Sequence, residues 1–108
     1  MIFPAYNESG TIEQLTEATL RTFSANKLLG EVIIVDDGSV DGTREIGDSL
    51  AKKFQSVKVI HHKRNLGKTV AFETGLKASR GNVVFLVDAD LQYSPEDIPK
   101  FLRLIEEG

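Results

Sequence analysis

The stretch Val83-Val84-Phe85-Leu86-Val87-Asp88-Ala89-Asp90 decides how this chain is expected to fold. Its five apolar residues are mostly β-branched or aromatic and predict a strand buried on both faces. The strand stops at two acids, Asp88 and Asp90, which are costly to bury without water or a cation as a partner. Ala89 between them is small enough to let a bulky ligand approach the backbone.

A divalent metal ion is one partner that these acids could take. Asp88, Asp90 and Gln92 offer carboxylate and amide oxygens, which are the ligands that Mg²⁺ and Mn²⁺ prefer. An acidic turn in contact with water explains the same spacing equally well, because two aspartates separated by one residue are common in proteins. The residues alone leave both interpretations open.

Composition indicates at most one globular domain. The chain has 108 residues, of which 41% are hydrophobic and 27% charged, and it contains no cysteine. Disulfides, cysteine-rich zinc sites and thiol nucleophiles are therefore excluded, and a reducing, cytoplasmic location is expected. The longest apolar run is too short to cross a membrane. A formal net charge of −3 argues against a nucleic-acid partner bound mainly through its phosphates.

The three strands that precede this stretch are short. Residues 1–3 are expected to be the tail of a strand that Pro4 ends, because proline cannot donate to a sheet ladder. A buried strand over residues 32–35 also stops at a pair of acids. A third strand, over residues 57–60, alternates enough between apolar and polar residues to lie near an edge of the sheet.

Amphipathic helices separate these strands. The first begins at a capping box over Thr11–Gln14, the second repeats apolar residues every four positions within residues 46–54, and the third ends near Ser79. A fourth helix begins at Ser94, which Pro95 and two acids follow. Alternating strands and helices predict an α/β fold with a mainly parallel sheet of about four strands and helices on both faces.

The loops that leave the carboxyl ends of these strands are expected to form one ligand site, since ligands of open parallel sheets bind at that edge. They are residues 4–8, 36–42, 61–68 and 88–92. Two of the loops begin with acids and a third is basic. That mixture suits an anionic ligand whose charge is bridged by a cation better than it suits either charge alone.

Several motifs that could indicate other ligands fail in their context. Gly67-Lys68-Thr69 lacks the first glycine of a P-loop, because His62 stands at that position. Acids from Asp37 to Asp48 have the spacing of a calcium loop, but a strand precedes them where an EF-hand has a helix. His61 and His62 are neighbours at a strand end and so point to opposite faces, which favours a structural role over joint metal chelation.

Four motifs stand in order along the chain: Phe3–Glu8 (FPAYNE), Val35–Thr43 (VDDGSVDGT), Asn65–Lys68 (NLGK) and Asp88–Glu96 (DADLQYSPE). Together they resemble the family-2 glycosyltransferases of the GT-A fold, and within them the dolichyl-phosphate mannose or glucose synthase group most. The resemblance runs from end to end of the chain. It implies a Rossmann-like half-domain that binds a nucleotide-sugar, and transfer of the sugar with inversion at the anomeric carbon.

The resemblance also implies roles by position. One of Asp36 and Asp37 would hydrogen-bond the nucleobase, and Asp90 and Gln92 would ligate Mg²⁺ or Mn²⁺, with Asp88 near the ribose and the metal. The residues implied to bind the donor are Pro4, Ala5, Tyr6, Glu8, Asp36, Asp37, Asn65, Lys68, Asp88, Ala89 and Asp90. No residue of the chain matches a catalytic base.

Residues 1–108 are accordingly expected to be the donor-binding part of a longer catalytic domain, truncated at both ends. The expected acceptor is a polyprenyl phosphate such as dolichyl or undecaprenyl phosphate, whose phosphate is already ionised and needs little help to attack. The full-length protein would then work at the cytoplasmic face of a membrane. Two alternatives remain open: a non-catalytic nucleotide- or metal-binding module, and a family-2 transferase that acts on a polysaccharide.

Overall fold

Three parallel strands alternate with three helices within residues 1–80. The structure is a computed structural model and describes residues 1–80. The elements are β1 (Ile2–Ala5), α1 (Ile12–Ala25), β2 (Val32–Asp36), α2 (Thr43–Lys53), β3 (Val57–His61) and α3 (Lys68–Ala78). The strand order is β1-β2-β3, and both neighbouring pairs are parallel. The predicted fourth strand and the helix predicted to begin at Ser94 lie outside the described residues.

Helices cover both faces of the sheet, as predicted. Phe3, Ile34 and other alternate strand residues face α1 and α2 in one apolar cluster. Ile2 and Ile33 belong to a second cluster with Ala71 of α3. Successive strand residues point to opposite faces, and this alternation divides the core into the two clusters. β2 is buried along its whole length, as a strand covered on both faces should be.

β1 continues through Pro4 to Ala5, so the expectation that the proline ends the strand was wrong. The carbonyl of Met1 accepts a hydrogen bond from the Ile33 N–H, and that of Ala5 accepts one from the Asp37 N–H, both at 2.8 Å. Alternate residues of a strand turn their backbone groups toward the same neighbour. Pro4 therefore directs its nitrogen away from β2, and its missing N–H leaves no gap in this ladder.

α1 begins where it was predicted to begin, but without the predicted capping box. Thr11 is the N-cap residue, and its side chain makes no capping hydrogen bond. Its hydroxyl lies 3.4 Å from the carbonyl oxygen of Glu8 and 3.3 Å from Oε2 of the same residue. The turn before the helix thus brings Glu8, rather than Gln14, to the Thr11 hydroxyl. Ile12, Thr19 and Phe23 lie on the buried face of α1.

β3 lies at one edge of the three described strands, and four of its five residues are only half-buried. This agrees with its alternating sequence. α3 ends at Ala78, within one residue of the predicted end. Through residue 80, no helix combines the length and the apolar character that a membrane span requires.

Candidate functional site

Three loops follow the carboxyl ends of β1, β2 and β3. They are loop 1 (residues 6–11), loop 2 (residues 37–42) and loop 3 (residues 62–67). Because the strands are parallel neighbours, the loops emerge side by side at one edge of the sheet, as predicted. The fourth predicted loop, residues 88–92, lies outside the described residues. Side chains of β2, loop 2 and α2 link the three loops to one another.

Asn7 links loop 1 to loop 2 through two hydrogen bonds. Its backbone N–H donates to Oγ of Ser39 at 3.0 Å, and its own Oδ1 accepts from the Val40 N–H at 2.9 Å. Asn7 has φ 54, in the left-handed region that asparagine tolerates better than most residues. The chain can therefore turn sharply between Tyr6 and Glu8.

Asp41 and Thr43 make a second set of contacts with loop 1. The Thr43 hydroxyl accepts from the Glu8 N–H at 2.8 Å, and Asp41 Oδ2 accepts from the Ser9 N–H at 3.2 Å. Asp41 Oδ1 accepts from the Thr43 N–H at 2.9 Å and from its hydroxyl. Hydrogen bonds from Thr43 and then Ser9 outweigh the slight burial of Asp41 and lower its pKa to about 2.

Asp36, the last residue of β2, is buried with 1% of its surface exposed. Its Oδ1 accepts from the Ser39 N–H at 3.0 Å, and its Oδ2 lies 2.7 Å from His61 Nδ1. The other ring nitrogen of His61 lies 2.7 Å from Oδ1 of Asp48, on α2. This network therefore joins β2, β3 and α2 on the face of the sheet that α1 and α2 cover.

Asp37 makes the corresponding contacts on the opposite face. Its Oδ1 lies 2.8 Å from His62 Nδ1, and the other ring nitrogen of His62 lies 2.9 Å from the hydroxyl of Thr74 on α3. The carboxylate also accepts from the backbone N–H groups of Leu66 and Gly67, each at 2.9 Å. Burial alone would raise the pKa of Asp37, but these hydrogen bonds lower it. Asp37 thus fixes the end of loop 3.

Loops 2 and 3 also touch through their backbones at Gly38. A Cβ atom at this position would lie 2.4 Å from the carbonyl carbon of Arg64 and 2.6 Å from the backbone nitrogen of Asn65. Gly38 also has φ 74, which a residue with a side chain rarely adopts. A glycine is therefore needed for the two loops to approach this closely.

The linked loops lie at the edge where ligands of open parallel sheets bind, and the sequence matches a known family along its whole length. The model of glycosyl transferase family 2 matches residues 1–108. The chain belongs to glycosyl transferase family 2. The family resemblance of the four motifs is thereby confirmed, and so is the Rossmann-like GT-A class of fold.

This chain is similar to several known proteins. The undecaprenyl-phosphate 4-deoxy-4-formamido-L-arabinose transferase of Pseudomonas savastanoi pv. phaseolicola is 40% identical over 113 residues, covering 100% of this chain and 32% of its own length. Residues 1–349 of TarS from S. aureus, solved in complex with UDP-GlcNAc, are 30% identical with a TM-score of 0.75, covering 98% of this chain and 30% of the solved TarS chain.

A third relative was solved with both a donor and a metal ion. It is the mannosyltransferase PcManGT from Pyrobaculum calidifontis, in complex with GDP-Man and Mn²⁺. It is 28% identical with a TM-score of 0.64, covering 89% of this chain and 28% of PcManGT. This chain therefore spans about a third of the length of the relatives that it matches.

The residues that the family resemblance implicates differ in their exposure. Pro4 and Ala5 are buried in β1, and Asp36 and Asp37 are buried in the networks described above. Tyr6 is 44% exposed at the start of loop 1, and Glu8 is half-buried beside it. Asn65 and Lys68 are exposed in loop 3 and at the start of α3. The structure thus brings all eight to one edge of the sheet.

The expected metal ligands, Asp88, Asp90 and Gln92, lie outside the described residues, as does Ala89. Across residues 1–80, no group of three or more histidine, cysteine or acidic side chains could bind a metal ion. The acids that match a calcium-loop spacing are divided among separate partners: Asp37 contacts His62, and Asp48 contacts His61. The strand predicted to precede these acids, where an EF-hand would have a helix, is β2.

Sequence reasoning missed the residues that link the loops. In the sequence they stand within motifs or turns, and nothing there assigns them partners in another loop: Asn7, Ser39, Asp41 and Thr43. Asparagine, serine, aspartate and threonine all bond readily to nearby backbone N–H groups, and that tendency was the available signal. It does not identify which backbone group will be near, because the partners lie 32 to 35 residues away in sequence.

A cavity of about 650 Å³ lies away from these loops, between the carboxyl ends of α1 and α2. Gly30 and Ser56 line it, so it lies at the amino ends of β2 and β3. Its lining also includes Phe23 and Phe54. Ligands of open parallel sheets bind at the opposite edge, and the loop edge remains the candidate site.

Proposed function

We propose that residues 1–108 form the nucleotide-sugar-binding part of an inverting glycosyltransferase. The observation that carries the proposal is that a family of glycosyltransferases matches the whole chain, while three loops of this chain are linked into one polar edge. The relatives solved in complex with UDP-GlcNAc and with GDP-Man support a nucleoside diphosphate sugar as the donor.

The nucleoside is proposed to bind against loop 1 and the end of β2. Tyr6 is exposed there and offers an aromatic ring beside Glu8. Asp36 or Asp37, which already accept hydrogen bonds within the protein, would accept one more from a ring N–H of the base, so that a base without that donor loses a contact at a buried carboxylate. Replacing the contacting aspartate with alanine should flatten the preference among UDP, GDP and ADP. If both alanine variants keep the parent's preference, the base is recognised elsewhere.

A divalent metal ion, Mg²⁺ or Mn²⁺, is proposed to bind Asp90 and Gln92 with Asp88 beside it. These residues supply the oxygen ligands that such ions prefer. PcManGT, solved with Mn²⁺, supports the proposal. When bound, the ion would neutralise charge on the departing diphosphate. The residues of loop 3 and α3, Asn65 and Lys68, would contribute to donor binding from the other side of the same edge.

The proposed acceptor is a polyprenyl phosphate, and the proposed location is the cytoplasmic face of a membrane. The relative from Pseudomonas is named for transfer to undecaprenyl phosphate, which supports this class of acceptor. A phosphate acceptor is already ionised at neutral pH, so it demands less of a catalytic base than a sugar hydroxyl would. The acceptor-binding residues are proposed to lie beyond this chain.

A thermal-shift experiment tests the donor and the metal together. UDP, GDP and ADP are added to the protein with and without Mn²⁺, because a ligand that binds the native state raises its stability. One nucleotide should raise the melting temperature, and more so with Mn²⁺. The Asp90→Asn variant should lose the Mn²⁺-dependent part, while the exposed control Glu13→Gln on α1 should keep it. Equal shifts in Asp90→Asn and the parent would overturn the metal assignment.

Turnover separates the proposal from its alternatives. The intact protein is incubated with a radiolabelled nucleotide-sugar and undecaprenyl phosphate, and the lipid-linked product is extracted into organic solvent. Labelled lipid is the expected result. Label in a polysaccharide instead would identify a transferase with a different acceptor, and nucleotide binding without any transfer would identify a non-catalytic module.

A further inference from the structure

We propose that Asp41 and Thr43 are positioning residues for the donor, because they fix the backbone of loop 1 where Tyr6 and Glu8 are expected to meet the nucleoside. This inference rests on the proposed function. It adds two residues from loop 2 and α2 that would not themselves touch the donor. Their effect would pass through the backbone N–H groups of Glu8 and Ser9.

The direction of each hydrogen bond follows from the chemistry of the groups. The hydroxyl of Thr43 donates its hydrogen to the carboxylate of Asp41, which can only accept. Its lone pairs are then available for the Glu8 N–H, 2.8 Å away. The second oxygen of Asp41 accepts from the Ser9 N–H. Two successive N–H groups of loop 1 therefore depend on one Asp–Thr pair.

Water offers no ready replacement for the Thr43 hydroxyl. Thr43 is fully buried, with 0% of its surface exposed. If the hydroxyl is removed, the Glu8 N–H must lose its partner or move to another one, and an unpaired N–H at a buried position is costly. Loop 1 is expected to shift in order to solvate that N–H. A shift at Glu8 changes the direction of its own side chain and of the turn at Asn7.

Tyr6 depends on this backbone because its ring is 44% exposed and lies outside the two apolar clusters. Its direction is set by the chain on either side: Ala5 in the sheet, and Asn7 in its left-handed conformation. Asn7 is bonded to Ser39 and Val40, so that one end of the turn has its own contacts. Thr43 and Asp41 fix the other end.

Asp41 also accepts a hydrogen bond from the first N–H of α2, so Asp41 and Thr43 could serve the fold alone. That purely structural role predicts a different result from the one proposed. Loss of that helix start would lower stability without a specific effect on the donor. Thr19 provides a matched control, since it is equally buried and its hydroxyl donates to the Leu15 carbonyl within α1 at 2.8 Å. Thr19→Val deletes the same group away from loop 1.

The experiment compares Thr43→Val, Thr43→Ser and Thr19→Val in the intact protein. The dissociation constant is measured with Mn²⁺ for whichever of UDP, GDP and ADP binds the parent most tightly. Thr43→Val should weaken binding by roughly 5- to 30-fold, as expected for the loss of a buried hydrogen bond. Thr43→Ser keeps the hydroxyl and should stay within about twofold of the parent, as should Thr19→Val. Amide hydrogen exchange at Glu8 should accelerate only in Thr43→Val.

Two results would overturn the inference. One is a Thr43→Val variant that binds the nucleotide as the parent does. The other is a Glu8 amide that exchanges in that variant as slowly as in the parent, which would show that the hydroxyl does not fix loop 1. A parent that binds none of the three nucleotides contradicts the proposed function itself, and the two failures are thereby distinguished.

Discussion

Each face of the sheet has an aspartate–histidine contact at the carboxyl ends of β2 and β3. The two contacts stabilise different parts of the molecule. On one face, Asp36 contacts His61, whose second nitrogen meets Asp48 of α2. On the other face, Asp37 contacts His62. The first network joins β2, β3 and α2 and binds one backbone N–H of loop 2, that of Ser39, whereas the second binds two backbone N–H groups of loop 3.

The difference follows from a single step along the chain. Asp36 and Asp37 are consecutive at the end of β2, and consecutive residues of a strand point to opposite faces. One carboxylate therefore contacts His61, whose other ring nitrogen contacts Asp48 of α2, and the other contacts the loop that leads into α3. Two chemically identical acids acquire separate partners: Asp36 joins β2, β3 and α2 and binds the Ser39 N–H of loop 2, and Asp37 fixes loop 3.

The largest expected effect is that of Asp37→Ala. It leaves two backbone N–H groups and a histidine nitrogen without an acceptor and should lower the free energy of unfolding by roughly 3–5 kcal/mol. Loop 3 contains Lys63 and Arg64, both exposed, where trypsin can cut. Limited trypsin digestion should cleave there much faster in Asp37→Ala than in the parent.

Asp36→Ala is the matched control for this digestion. It removes a carboxylate that is equally buried but makes no contact with loop 3 among the hydrogen bonds described. Cleavage after Lys63 or Arg64 should stay close to the parent's rate when both proteins are compared well below their melting temperatures. Equal acceleration in the two variants would show that the two acids do not have separate roles.

A second comparison uses two glycines with positive φ. Gly38→Ala should lower stability by roughly 2–3 kcal/mol, because the new Cβ would overlap the backbone of Arg64 in addition to being strained. At Gly67 a Cβ would meet nothing within 4 Å, so Gly67→Ala should cost roughly 1–2 kcal/mol from strain alone. Urea denaturation measures both. Equal losses would mean that contact between loops 2 and 3 adds nothing at Gly38.

Strand and helix positions could be predicted from the sequence because they depend on local patterns. The β-branched run of β2 and the apolar spacing of α2 each contain their own signal. The convergence of the loops followed from the parallel topology. Even the opposite directions of His61 and His62 followed from the alternation of a strand, and their separate partners confirm it.

Contacts between distant loops could not be predicted in the same way. Pro4 was expected to end β1, since the pattern does not tell which neighbour its nitrogen would face. Thr11 was expected to bond within its own helix but lies near Glu8. Asp36 and Asp37 were expected to face a ligand, and their internal partners depend on a register between β2 and β3 that no single segment specifies.

The pH dependence of stability tests whether the charged ring of His61 stabilises the Asp36 network. Burial alone would lower the pKa of His61, but the hydrogen bonds to Asp48 and Asp36 outweigh it and raise the pKa above the ordinary 6.5. The protonated ring therefore contributes stability that is fully present below pH 6.5 and is lost as the pH rises through the folded-state pKa. Urea denaturation should show that the free energy of unfolding of the parent falls as the pH rises above 6.5.

His61→Gln provides the comparison for that measurement. Glutamine keeps a polar side chain at the end of β3 but has no proton to lose in this range, so its stability curve should be flatter than that of the parent. The expected result is that the two curves converge at high pH, where His61 is neutral. A parent whose stability is unchanged across the range would show that the carboxylates of Asp36 and Asp48 do not stabilise the charged ring.

The smallest expected effect concerns Asp48. In the Asp36 network the ring of His61 lies between a buried carboxylate, Asp36, and an exposed one, Asp48. The side chain of Asp48 is 48% exposed, whereas that of Asp36 is 2% exposed. Water screens the outer contact, so Asp48→Asn should lower stability by less than about 1 kcal/mol. Asp36→Asn should cost more, because it also weakens acceptance from the Ser39 N–H at a buried position. Urea denaturation measures the loss of stability in each variant, and NMR titration of the His61 ring measures how far each acid raises the pKa of the ring. Its pKa should fall in each variant, and a larger fall in stability for Asp48→Asn than for Asp36→Asn would contradict the assignment of the stabilising contact to the buried end of β2.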